Sequence, residues 1–455
     1  MMTLAQAAQA LGAKLVGEDI TFSAVSTDSR NISAGDLFIA LKGERFDGSA
    51  YVPSAVASGA VAAMVNAADF REGAAPCPLL LVDDTRLALG RLAAHWRAQF
   101  TRPVIALTGS NGKTTVKEML AAILRQEYGE KAVLATQSNL NNDIGVPLTL
   151  LRLRAEHRYA VIEMGMNHAG EIDYLTRIAQ PDVALITNAS GAHLAGLGSV
   201  QAVANAKGEI FAGLKPDGIA VINADDAYAP QWLSLVEHHR VIDFGLEHDA
   251  AVRGHWQPSG LLKVNTPIFD ISVRLQVPGV HNARNALAAI AAAAAASFFD
   301  WTYIIAALDS FGGVAGRLQR KPAKHGATLI DDTYNANPAS MHAALDVLAR
   351  APGQRIFVMG DMGELGADAE RLHADIGATA RQLGIQRMFA LGDLSRAAAR
   401  EFGADARHFD SVESLCAALE AELGANVTVL VKGSRFMKME RVVQCCIERK
   451  EGTCC

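Results

Sequence analysis

A glycine loop between a short apolar strand and a long helix constrains this chain more than any other feature. Residues 104–107, Val-Ile-Ala-Leu after Pro103, read as a buried strand. Val116, Met119, Leu120, Ile123 and Leu124 fall at helical spacing in a segment running to about Glu127. Between them lies Thr108-Gly109-Ser110-Asn111-Gly112-Lys113-Thr114-Thr115. Strand, glycine loop and helix in that order are the context of a phosphate-binding loop. Backbone N–H groups and the helix N-terminus then hold a polyphosphate, Lys113 reaches its outer phosphates, and Thr114 is placed to bind magnesium. The usual formula, G-x-x-x-x-G-K-[ST], wants a glycine where this chain has Leu107. The loop is a shortened form.

The rest of the chain supplies a sheet for that loop. Strands are expected at 104–108, 132–136, 159–164, 183–187, 218–223 and 241–244, with helices between most of them, which predicts a parallel, doubly wound sheet. The alternation in 271–277 breaks the rhythm and reads as a small antiparallel insertion within 252–277; helices follow at 282–297 and about 301–310. Gly312-Gly313-Val314-Ala315-Gly316 marks a hinge, after which a second α/β alternation places strands near 328–331, 355–359, 387–391 and 427–431. Before the loop, strands at 36–41, 61–65 and 79–82, a helix at 52–57, and a longer helix from Asp84 or Thr85 through Gln99 make a separate first block. A length of 455 residues suggests about three domains. They divide as 1–84, a small α/β substrate domain; 85–312, a central P-loop doubly wound domain; and 313–455, a Rossmann-like α/β domain.

Composition narrows the class. A net charge of −6 argues against a nucleic-acid partner held by bulk electrostatics. The longest apolar run, 286–296 with Phe298 and Phe299 beyond it, falls short of the ~20 residues that span a bilayer and reads as an alanine-rich packed helix. The first residues lack the basic end and long apolar core of a signal peptide. Six cysteines, four of them in adjacent pairs near the C-terminus, do not have zinc-ligand spacing. These features predict a cytoplasmic, multi-domain protein.

Several polar groups fall where such a sheet places ligands, at the carboxyl ends of its strands. Glu163 closes the strand at 159–162 and is a magnesium-holding candidate, and His193 follows the next strand as a second. Lys207 sits on the helix beyond. Asn139, Asn141 and Asn142 flank a cleft, and Asn282 and Asn285 begin a helix where amides reach a base or a ribose. Arg317, just past the hinge, is positioned for a domain movement to bring its charge onto a transferring phosphate. Asp331-Asp332-Thr333-Tyr334-Asn335-Ala336-Asn337-Pro338 and Lys432-Gly433-Ser434-Arg435 each join a strand to a helix in the last block.

Together these segments resemble the Mur ligases, ATP-dependent amide-forming enzymes of peptidoglycan precursor synthesis. T-G-S-N-G-K-T-T is similar to their loop, and Glu163, His193, Lys207, His281-Asn282 and Arg317 follow the family order. N-L-N-N-D-I-G-V-P-L-T-L-L (139–151), E-M-G-M-N-H-A-G-E-I (163–172), A-K-G-E-I-F (206–211) and D-D-T-Y-N-A-N-P-A-S (331–340) resemble the branch joining D-alanyl-D-alanine to a UDP-N-acetylmuramoyl tripeptide.

The resemblance implies use of ATP and two magnesium ions, one held by Thr114 and Glu163, the other by His193 and Lys207. That lysine is carbamylated in several relatives and here is either carbamylated or an unmodified lysine beside the site; a monomer is expected. It places Asp28, Ser29, Arg30, Lys42 and Asp47 on the UDP end, and Asn282, Asn285 and Asp332 on the ATP. Tyr334, Asn335, Asn337, Lys432, Ser434 and Arg435 would then line the dipeptide side. Another amide ligase of the superfamily, such as folylpolyglutamate synthetase, and a P-loop ATPase or switch protein are the alternatives.

Overall fold

The computed structural model describes residues 1–43, 46–70, 75–191, 194–298 and 300–447. Glu44 and Arg45 of the 42–48 loop, His193, Phe299, Cys454 and Cys455 lie outside them. The described chain forms three principal sheets, of five, nine and six strands, in chain order.

The nine-stranded sheet carries the glycine loop. Its parallel part runs Val133–Ala135, Tyr159–Glu163, Val104–Thr108, Val183–Ile186, Ile219–Asn223, Arg240–Gly245 and Val252–Trp256 in spatial order. The first strand in sequence, Val104–Thr108, is therefore flanked by Tyr159–Glu163 and Val183–Ile186. The direction of winding reverses there, which opens a crevice at the strand ends. All five residues of Val104–Thr108 are buried, as expected for a strand covered on both faces.

Residues 252–277 are not a separate insertion. Val252–Trp256 pairs parallel to Arg240–Gly245, and Leu261–Asn265 and Asp270–Arg274 then add antiparallel strands to the same sheet. Their inward residues, Leu262, Val264 and Val273, join the core under the alanine-rich helix Val280–Ala295. Small alanine side chains let that helix pack closely on the loop helix Lys113–Tyr128 and on the sheet. Its N-terminal turn is thereby fixed beside the glycine loop.

The C-terminal sheet runs Gln319–Pro322, Thr328–Asp332, Val427–Lys432, Gln354–Gly360, Arg387–Leu391 and Ala406–Phe409, with Gln319–Pro322 antiparallel and the rest parallel. Thr328–Asp332 and Val427–Lys432 are neighbours, so Asp332 and Lys432 end side by side. The first sheet (Lys14–Val16, Leu79–Val82, Ala62–Asn66, Asp36–Ile39, Ala24–Ser26) is joined to the centre through helix Thr85–Ala98. Leu89, Leu92 and Ala93 of that helix share one core with Leu37 and Leu80 on one side and Ile172 and Leu175 on the other. Buried Arg97 donates to the carbonyls of Ala179 (2.7 Å) and Gln180 (2.9 Å), tying the helix end to the central sheet. Among the described residues no helix is long and apolar enough to cross a membrane.

Trp232 supports the helix that carries Lys207. It is fully buried, and its indole Nε1 donates to the carbonyl of Ala204 at 3.0 Å, in helix Val200–Gly208. Replacing Trp232 with alanine should cost about 3–5 kcal/mol of unfolding free energy, read from the urea midpoint at unchanged slope. A loss under about 1 kcal/mol would contradict this packing.

Candidate active site

A cleft of about 950 Å³ lies between the carboxyl ends of the central strands and those of the C-terminal sheet. The glycine loop forms its floor, and a neighbouring segment holds the loop in shape. Ser110 N–H donates to the Asn188 carbonyl (2.9 Å) and Asn111 N–H to Asn188 Oδ1 (3.0 Å). Thr187 Oγ1 and Asn188 Nδ2 donate to the Asn111 carbonyl at 2.7 and 3.0 Å. Asn111 Nδ2 donates to Ser190 Oγ at 2.9 Å, and Ser190 N–H to Ser110 Oγ at 3.0 Å. The side chains of Ser110 and Asn111 are thus committed to the loop's own support. Thr108 Oγ1 likewise donates to the Met164 carbonyl at 2.9 Å.

Both loop glycines are required by this packing. Gly109 has φ +150°, and a Cβ there would stand 1.8 Å from Thr187 Oγ1. Gly112 has φ +82°, and its Cβ would stand 2.3 Å from Asn285 Oδ1. Asn285 in turn donates to Asn282 Oδ1 (3.1 Å), and Asn282 to the Pro278 carbonyl (2.7 Å). Asn285 therefore presses directly on the loop, and Asn282 braces it from behind.

Lys113 opens the loop helix, and its Nζ donates to the Gly109 carbonyl at 2.6 Å. Burial brings its pKa down to about 8; Glu163 opposes that shift and Arg317 adds to it. Glu163 is 2% exposed: Oε1 accepts from Asn141 Nδ2 at 2.8 Å, while Oε2 is buried without a hydrogen-bond partner. A buried carboxylate oxygen left unpaired is costly, and its chemistry fits a hydrated divalent cation. Lys207, at the end of its helix, is 1% exposed, and burial with the nearby Lys113 charge pushes its pKa well down. Thr114, in the first turn of the loop helix, is met by Arg317, and Thr115 lines the cleft.

Sequence expectation needed a movement to bring Arg317 to the loop; the structure already has it there. Arg317 Nη2 stands 3.4 Å from Thr114 Oγ1, and its guanidinium lies 4.0 Å from the centre of the Tyr334 ring. The Arg435 guanidinium stands 5.8 Å from the centre of the same ring. Asn337 makes a second bridge: its Nδ2 donates to Asn111 Oδ1 at 3.0 Å while its Oδ1 caps helix Pro338–Ala349. Lys432, 2% exposed, donates to Asp332 Oδ2 (2.5 Å) and to the Asn335 carbonyl (3.0 Å). Ser434 Oγ donates to the Ala336 carbonyl (3.2 Å) and accepts from Gly363 N–H (2.8 Å). Asp332, Tyr334, Asn335, Asn337, Lys432, Ser434 and Arg435 all line the cleft.

Asn139, Asn141 and Asn142 line the opposite wall. Asn142 also serves the fold, since its Oδ1 accepts from Gly145 N–H (2.9 Å) at the start of helix Gly145–Leu150. The first-block candidates do not line the cleft. Asp28 is held near pH 2 by hydrogen bonds from the Arg30 side chain and backbone; Ser29 begins the short 3₁₀ turn that Asp28 caps. Lys42 pairs with Asp69 at 2.7 Å, and Asp47 caps the Gly48–Tyr51 turn.

Sequence reasoning valued the run 188–193 for His193; in the structure Asn188 and Ser190 shape the loop. It gave no role to Asn223, whose Nδ2 donates to the Thr187 carbonyl at 2.9 Å and steadies the same segment. His281 lines the cleft with Nε2 unpaired and buried; its pKa falls to about 4 through burial, so the ring is neutral at pH 7.

Gly112→Ala should leave the folded chain intact but weaken ATP binding by at least about 10-fold, because the loop must move off Asn285. Nucleotide titration at unchanged circular dichroism checks this; wild-type affinity would contradict it.

Residues 21–97 match the Mur ligase family catalytic domain, 107–293 the Mur ligase middle domain, and 316–435 the Mur ligase glutamate ligase domain. The chain is 44% identical over 460 residues to the UDP-N-acetylmuramoyl-tripeptide–D-alanyl-D-alanine ligase of Escherichia coli (strain K12), covering 100% of this chain and 99% of that protein. The crystal structure of MurF from Acinetobacter baumannii superposes with a TM-score of 0.89 at 38% identity, covering 97% of this chain and 98% of that one. MurF ligase from Thermotoga maritima in complex with ADP gives a TM-score of 0.82 at 27% identity, covering 94% and 98%.

Proposed function

The chain belongs to the Mur ligase family, and from that membership we propose that it joins D-alanyl-D-alanine to a UDP-N-acetylmuramoyl tripeptide at the expense of ATP. The observation that carries this reading is the meeting of Lys113, Arg317 and the half-paired carboxylate of Glu163 at one loop. The loop and the arginine come from different sheets, so a phosphate between them is held from two sides. The ADP complex of the Thermotoga maritima relative supports ATP as the energy source.

The reaction begins with two anions that repel. The terminal carboxylate of the tripeptide attacks the γ-phosphorus of ATP; the P–O bond to ADP breaks, leaving an acyl phosphate. Lys113 and Arg317 offset the charge on the transferring group, and the N–H groups at the start of the loop helix, from Gly112 onward, hold the remaining phosphates. Magnesium, when bound, neutralises phosphate charge; Thr114 and the unpaired oxygen of Glu163 would hold one ion, and His193 with a carbamylated Lys207 a second. Burial favours that modification, because a lysine kept neutral is nucleophilic toward carbon dioxide. The amine of the dipeptide then attacks the acyl carbon, a tetrahedral intermediate forms, and inorganic phosphate leaves. Asn335, Asn337, Lys432, Ser434 and Arg435, which line the cleft, are assigned to the dipeptide. Asn282, Asn285 and Asp332 are assigned to the nucleotide, and the first unit, 1–84, to the UDP end through Asp28, Ser29, Arg30, Lys42 and Asp47. Closure of the 313–455 unit on the 85–312 unit excludes water from the acyl phosphate.

Phosphate release that requires both UDP-muramoyl tripeptide and D-alanyl-D-alanine tests the whole reading; release with ATP alone would favour a simple ATPase. Lys113→Ala and Arg317→Ala should each lower kcat/KM by at least about 10²–10³-fold with the fold intact; wild-type rates in either would remove that residue from its role. A lysine with a lowered pKa loses its charge as pH rises. The kcat/KM for ATP should therefore fall above about pH 8, and Lys113→Arg should abolish that limb. For Lys207, a carbamate signal in ¹³C NMR with labelled bicarbonate, and partial rescue of Lys207→Ala by small carboxylic acids, are expected. An unchanged alanine variant would exclude the residue.

A further inference from the structure

One buried charge has no part in the chemistry above. Lys117, one turn into the loop helix, is 1% exposed; its Nζ lies 2.5 Å from the Thr136 carbonyl and 2.9 Å from Glu118 Oε1. A lysine is rarely buried this far unless its charge is fully used. Here it alters a strand end.

Thr136 follows the edge strand Val133–Ala135, whose last residue pairs in parallel with Val161. In a parallel ladder, one residue donates its N–H to a partner-strand carbonyl and accepts, at its own carbonyl, the N–H two residues further along. The Thr136 N–H donates to the Val161 carbonyl at 3.0 Å. The next rung would run from Glu163 N–H to the Thr136 carbonyl. Instead Glu163 N–H donates to the Thr136 hydroxyl, at 2.9 Å, and the freed carbonyl goes to Lys117. The ladder stops one rung early, and residues 137–143 turn back over the strand end. That turn brings Asn141 Nδ2 within 2.8 Å of Glu163 Oε1, and Gly165 N–H closes it by donating to the Asn141 carbonyl at 2.7 Å.

We propose that Lys117 is a positioning residue for the magnesium-holding carboxylate: by taking the Thr136 carbonyl, it lets Asn141 fix one oxygen of Glu163 and leave the other for the metal. The proposal rests on the ligase reading, in which Glu163 holds magnesium. Lys117 touches neither substrate nor metal, and acts through Thr136 and Asn141. Groups that support a metal ligand without touching the metal typically govern 10–100-fold in affinity.

Calorimetric titration of the full chain with ADP, with magnesium and with EDTA, tests this without turnover. Magnesium should strengthen ADP binding in the wild type. In Lys117→Met and in Thr136→Val that magnesium-dependent gain should fall about 10-fold, while ADP affinity in EDTA stays within about twofold. Lys117→Arg, which keeps a donor, should retain more of the gain than Lys117→Met. Thr136→Val carries the test if Lys117→Met does not fold. An undiminished gain in the folded variants overturns the role of Lys117 alone. A wild type with no magnesium-dependent gain contradicts Glu163 as metal holder and the proposal with it, while leaving the requirement for both substrates separately measurable.

Discussion

The hydrogen bonds between residues 108–113 and residues 187–190 are the constraint on which the rest of the site depends. A phosphate loop must present several N–H groups inward, which leaves its carbonyls and side chains needing partners elsewhere. In this shortened loop the neighbouring strand end supplies them through Thr187, Asn188 and Ser190, and Asn188 also takes the N–H groups of Ser110 and Asn111. Asn223 holds that strand end in turn, through the Thr187 carbonyl. The loop is thus shaped by the sheet order, which places Val183–Ile186 directly beside Val104–Thr108.

From that fixed floor, charge is arranged by proximity rather than by number. Burial lowers the pKa of both Lys113 and Lys207; the Lys113 charge lowers Lys207 further, while on Lys113 itself Glu163 works the other way and Arg317 adds to the fall. Arg317 and Lys432 add cations from the C-terminal sheet. Lys432 is already engaged by Asp332 in a buried pair, where loss of either partner leaves an uncompensated charge. Among the described residues Arg317 has no carboxylate in ion-pair contact; its guanidinium lies over the Tyr334 ring at 4.0 Å and reaches Thr114 of the loop. That difference separates an arginine suited to a transferring phosphate from a lysine that also builds the wall behind it.

Much of this was legible in the sequence, for identifiable reasons. Buried parallel strands such as Val104–Thr108 and Arg387–Leu391 are continuous apolar runs, and helix Thr85–Ala98 announces itself with Asp84 as its cap. Four of the strands that left no signal, Lys14–Val16, Ala24–Ser26, Gln319–Pro322 and Ala406–Phe409, are all edges of the principal sheets, short and partly exposed. The 252–277 hairpins read as an insertion because alternation shows one buried face but not which sheet the strand joins. Lys113, Glu163 and Arg317 stood out by their places after strands or a hinge. Asn188, Ser190, Asn223 and Lys117 did not, because their work is to bond backbone groups distant in sequence, and single residue types carry no mark of that.

The central claim is that the carboxylate of one substrate is activated by taking a phosphoryl group from ATP. Labelling the terminal carboxylate of the UDP-muramoyl tripeptide with ¹⁸O tests this most directly, with the released phosphate analysed by mass spectrometry after ligation to D-alanyl-D-alanine. Acyl-phosphate chemistry transfers one carboxylate oxygen to each phosphate formed, so labelled phosphate should accompany every amide bond. Amide formation with unlabelled phosphate would contradict the account.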